Sequence, residues 1–171
     1  MKLSRRGVLT TLSGLLALSF LRPKKSVAEE SFTVSILRCD SPTETGRIYP
    51  TNVVQQAIVS AEKAYESLGG VPVTIHKRYK FDPGTGRIWI AEVDIAGLMQ
   101  NLRIVDGVLI GDVRSYGPQG HLLQSLLDDT KWNTKIGFRT VGAVQLAETG
   151  TVRHFRLIGI STLPSGKFIP I

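Results

Sequence analysis

Three kinds of residue in this chain could do bond-breaking chemistry, and the pattern around each decides what kind. Nucleophilic catalysis needs a hydroxyl or thiol beside a proton acceptor, with backbone donors facing the developing negative charge. The segment TKIGFRTVGAV offers Thr140 between Gly137 and Gly142, glycines that would let an oxyanion approach backbone N–H groups. The structural reading of the same residues is a strand bent at two glycines. His76 closes the alternating run VPVTIH, so a strand would deliver its imidazole as a general base. The alternative for His76 is an ordinary, partly exposed histidine.

Other chemistries find little support. His121 opens a helix and His154 lies in TVRHFRL; neither has a partner at helical spacing or a nearby set of acids and cysteines, so no metal site is expected. Cys39 is the only cysteine, which excludes an intramolecular disulfide and a cysteine cage. FDPGTGR is glycine-rich but lacks the Lys-Ser/Thr ending of a phosphate loop and reads as a turn. No cofactor is implied.

The elements that must position these residues follow from periodicity. Residues 32–37 alternate as a strand and end at the turn-rich CDSPTETG. In TETGRIYP, Gly46 permits a tight turn, Tyr49 can bury its ring, and Pro50 fixes entry into a helix that Thr51 or Asn52 can cap. Val54, Ala57, Ile58, Ala61 and Tyr65 carry that helix to Gly69-Gly70. VPVTIHKRY and GRIWIAEVDI read as strands on either side of FDPGTG. NLRIVDGVLIGDVRSY is a hairpin turned at Asp106-Gly107. A helix over 119–128 and strands over 134–141, 143–146 and 152–160 complete the list. The expected fold is α+β, a mostly antiparallel, barrel-like sheet with two packed helices in one domain spanning 29–171.

The first 28 residues are a separate object. A basic start, an apolar run from Gly7 to Leu21, and Ser-Val-Ala before Glu29 follow signal-peptide grammar. Arg5-Arg6 resembles a twin-arginine export signal, which predicts an exported or periplasmic product. The apolar run is short of the roughly 20 residues a spanning helix needs; the alternative to export is an amphipathic or apolar helix that docks on the protein or on a membrane surface. Six of the 21 basic residues sit in this leader with no acid, so the formal charge of +7 falls to +1 without it. A near-neutral remainder gives no electrostatic footprint for phosphate backbones, and nucleic-acid binding is not expected.

Read together, the segments resemble the prohead core proteases of T-even-like phages, among the capsid maturation serine proteases shared with herpesvirus assemblins. TGRIYP before a helix is similar to the family's Asn-Gly-Arg-x-Tyr-Pro entry, and GVPVTIHKRY places His76 at the family's histidine, with Lys77 where a proline is expected. LRIVDGVLIGDVRSYGPQGHLLQSLLDD resembles the family's hairpin, turn and following helix. The nucleophile strand, Gly-x-Ser-Ser-Arg-Gly-like in the family, aligns with residues 137–142, where Arg139 and Thr140 hold the serine positions. HFRLIGISTLPSG resembles the closing strand, with Gly159 at the aspartate position.

The resemblance implies a serine-type endopeptidase fold acting in phage capsid assembly and maturation, with capsid or scaffold proteins as substrates or partners. It implies His76 and Thr140 as the catalytic pair and Gly137 and Gly142 as oxyanion donors, in an enzyme or in a catalytically degenerate relative. It also implies a place in the host cytoplasm or prohead, in conflict with the exported destination of the leader. The competing expectation is an exported, non-enzymatic α+β binding or structural domain of the cell envelope.

Overall fold

A computed structural model describes residues 31–76, 79–128 and 136–163. The leader, and the expectations placed on it, lie outside the described residues, as do residues 134 and 135 of an expected strand.

The described chain runs β1 (Phe32–Arg38), α1 (Thr51–Ala64), β2 (Val71–Thr74), β3 (Lys80–Asp82), β4 (Arg87–Trp89), β5 (Ile95–Val105), β6 (Val108–Ser115), α2 (Gly120–Asp128), β7 (Gly137–Leu146) and β8 (Val152–Leu163). Short 3-10 turns cover Glu66–Leu68 and Glu92–Asp94. Six strands form one sheet in the order β1-β6-β5-β2-β8-β7, and β3 with β4 forms a separate hairpin. Within the large sheet β2 and β8 run parallel, Val73 beside Ile160 and Thr74 beside Ser161, while the other described pairings are antiparallel. The edge strands β1 and β7 curl toward each other, so residues of both line one cleft. This is the expected α+β, strand-rich architecture.

Local chemistry explains the joints. Asp106 and Gly107 both take positive φ, 49° and 73°, the pair of values a two-residue type I′ hairpin requires between β5 and β6. Helix α1 presents Val54, Ala57, Ile58 and Ala61 to β8 and β5, each at most 2% exposed. Burying an isoleucine or valine of this kind contributes about 1.5–3 kcal/mol. Helix α2 adds Leu123 and Leu127 against β5 and β6.

Several boundaries differ from the sequence reading. The expected strand VPVTIHKRY stops at Thr74, because His76 adopts φ 56° and breaks the extended run. GRIWIAEVDI divides into β4, a 3-10 turn and the start of β5. The strands expected over 134–141 and 143–146 are one strand, β7, with a register shift between Val141 and Gly142. The cap of α1 comes from neither Thr51 nor Asn52 alone. Asp40 accepts from the Thr51 amide at 3.1 Å and from its hydroxyl at 2.6 Å.

Candidate functional site

The candidate site gathers along β7 and the elbow that leads into α1. Directly opposed residues share a face of the sheet. Thr140 pairs with Ile160, which is fully buried in the core, and Phe138 two residues earlier is also core. Thr140 therefore stands on the core-building face, half-buried where the sheet runs out at its edge. Arg139 pairs with Ser161, and Ser161 with Thr74, so these three form a row on the opposite face.

His76 follows β2, exposed, and its backbone N–H donates to the Thr162 hydroxyl at 3.3 Å. Strand β8 separates β2 from β7. Two strand spacings put the backbones of His76 and Thr140 about 10 Å apart across the sheet, and Thr140 lies level with Ile160 and not with Thr162. No hydrogen bond among the described residues joins the two side chains.

The two expected oxyanion glycines sit at opposite ends of this stretch. Gly137 is buried opposite Leu163. Gly142 sits at the register shift, where an added Cβ would run into the Arg156 carbonyl and come within 2.8 Å of the Phe155 ring. The close approach of β8 accounts for that glycine.

The position aligned with the family's aspartate is closed. Gly159 lies opposite Val141, and a Cβ on it would collide with the Cδ1 of Ile90 and approach the Pro72 carbonyl at 2.9 Å. Ile90, just past β4, fills the space a carboxylate would occupy. Position 159 therefore has no room for an acidic side chain.

What the structure does bring together is a cleft. One lobe, of about 490 Å³, lies between β1, the 41–49 elbow and β7, and includes Arg38, Arg47, Arg139 and Thr140. A second lobe of about 230 Å³ shares Arg47, Tyr49, Arg139 and Thr140 and reaches Tyr79 and Ile88 beside the β3–β4 hairpin. The elbow is held by two backbone bonds in the same direction: the Asp40 amide donates to the Tyr49 carbonyl at 2.9 Å and the Thr43 amide to the Arg47 carbonyl at 2.8 Å. Tyr49 is buried edge-on against Phe155, with centroids 5.3 Å apart, so the backbone beside Arg47 is anchored to β8. Sequence reasoning singled out Arg47 and Arg139 separately, 92 positions apart; nothing local says that a curled sheet makes them neighbours.

Cys39 sits behind the elbow, where burial pushes its thiol pKa up in spite of a hydrogen bond with Thr51. Among the described residues no group of three or more His, Cys, Asp or Glu side chains is arranged to hold a metal ion.

A curled six-stranded sheet with one parallel pair, an elbow into α1, and a second helix after the β5–β6 hairpin make up a fold similar to that of a solved capsid protease. The bacteriophage T4 capsid assembly protease, gp21, has a solved structure to which this chain is similar at a TM-score of 0.56, with 14% identity over 82% of each chain. At that identity the likeness is one of fold. No family model matches the sequence, and no curated protein matches it.

Proposed function

We propose that the protein is a prohead-protease-like assembly protein, a catalytically degenerate relative that engages capsid or scaffold proteins without cutting them. The observation that carries this reading is the fold match to a capsid assembly protease over most of the chain, combined with a closed acid position at Gly159.

The resemblance implies His76 and Thr140 as base and nucleophile, but a nucleophile needs its base within hydrogen-bond reach. Here Thr140 lines the cleft two strands away from His76, Arg139 takes the neighbouring serine position, and a guanidinium is always protonated. Geometry in a free protein can tighten on binding, so the test must include the protein partners.

Full-length protein co-expressed with the capsid and scaffold proteins of its own genome should co-sediment with assembled shells. Failure to associate with shells or scaffold under any assembly condition would overturn the reading. In this account the apolar leader is a membrane-contacting or self-removed segment of an assembly protein; recovery of the chain processed after Ala28 by host signal peptidase would count against that part.

A further inference from the structure

We propose that the cleft between β1, the 41–49 elbow, β7 and the β3–β4 hairpin binds single-stranded nucleic acid. The inference does not depend on the assembly reading. Its starting point is that a net charge averages over the whole surface, whereas a ligand meets a local field. Arg38, Arg47 and Arg139 come from three separate segments and converge on one cavity. The ion pair between Arg103 and Asp112 lies on another part of the sheet. Ser41, Thr43 and Thr45 add hydroxyls along the same wall, and Glu44 is the one acid lining the cavity.

Such a wall suits phosphates or carboxylates, and the aromatic side of the cleft decides between them. Tyr79, 42% exposed, lines the second lobe together with Arg47 and Arg139. Phe81, 56% exposed, pairs with Ile88 and so shares the hairpin face that borders this lobe, whereas Trp89, with the Arg87 guanidinium 5.9 Å from its ring centroid, pairs with Lys80 and lies on the other face. The Tyr79 hydroxyl can donate to either anion, but the face of an aromatic ring is its negative side and attracts no carboxylate. It does offer a stacking platform to a nucleobase, and a basic groove beside stacking rings is how single strands are held without sequence preference. The two lobes, about 490 and 230 Å³, give room for a backbone turn at the arginines and a base at Tyr79.

The test is fluorescence anisotropy with a labelled oligothymidine of about 12 nucleotides, within the usual site size, and the full-length protein over a range of salt concentrations. The leader's own basic residues will contribute, so the comparison is between wild type and cleft variants that share the leader. Arg47→Gln and Arg139→Gln should each reduce the magnitude of the slope of log K against log salt by about 0.7, the value of one single-strand phosphate contact. Tyr79→Ala should weaken binding roughly 5- to 150-fold, as loss of one stacked base does, with the slope unchanged. Arg38→Gln and Arg47→Gln alter exposed side chains and keep the test open if Arg139→Gln does not fold. Slopes unaltered in all the arginine variants, no binding at low salt, or binding of polyglutamate in preference to the oligonucleotide would each overturn the proposal.

Discussion

The carboxylate of Asp40 holds both the amide and the hydroxyl of Thr51, at 3.1 and 2.6 Å, so a residue eleven positions upstream caps α1. The two bonds tie the end of β1 to the first turn of the helix across the whole elbow. They also explain why Asp40 tolerates φ 54°, a conformation aspartate visits more readily than most residues. Replacing Asp40 with Ala removes the cap and should cost about 0.5–2 kcal/mol in urea unfolding. Thr51→Val keeps the amide bond to Asp40 and loses the hydroxyl's bonds to Asp40 and Cys39, so it should cost less.

Ile90 and Gly159 are locked together in the same way. Gly159→Ala forces a methyl group into the Ile90 side chain and the Pro72 carbonyl, an overpacking that should cost about 1–3 kcal/mol. Ile90→Ala in the same chain should recover part of that loss, and a double-mutant cycle from chemical unfolding measures the coupling. Additive losses would show that Ile90 does not fill the position.

Cys39 is 3% exposed and its thiol is held protonated by burial, so it should be a poor nucleophile. Titration with a thiol reagent should show negligible reaction in the native protein at neutral pH and one equivalent in denaturant. Rapid labelling of the native state would contradict the burial described.

Asp112 accepts from Thr33 at 2.7 Å and from Asn101 at 2.9 Å, with Arg103 nearby at 3.5 Å, and these partners lower its pKa. A folded pKa below the unfolded one gives stability that is present above the unfolded value of about 3.9 and is lost as pH falls through the lower folded value. Asp112→Asn should therefore flatten the loss of stability below about pH 4, read from thermal melts at stepped pH. An unchanged acid limb would mean that other carboxylates dominate it.

Much of this fold was legible where the signal is local. The Asp106-Gly107 turn carries its own φ requirement, and the spacing of Val54, Ala57, Ile58 and Ala61 fixed the buried face of α1. Boundaries failed where tertiary contacts override local preference: His76 reads as the end of an alternating strand, yet the chain turns there so that its amide can reach Thr162. The candidate site was the least legible part. Arg47 and Arg139 meet because two sheet edges curl toward each other, and Gly159 is closed because Ile90 arrives from a hairpin about 70 positions earlier. Neither relation has a signature within a short window of sequence.

The account rests most directly on whether the chain cuts its partners. Intact mass spectrometry of the capsid and scaffold proteins, co-expressed with full-length wild type, Thr140→Ala or His76→Ala, reads this in one experiment. The account predicts the same uncut masses in all three, with the proteins still associated. Cleavage by wild type that disappears in both variants would contradict it and establish an active Thr140–His76 peptidase.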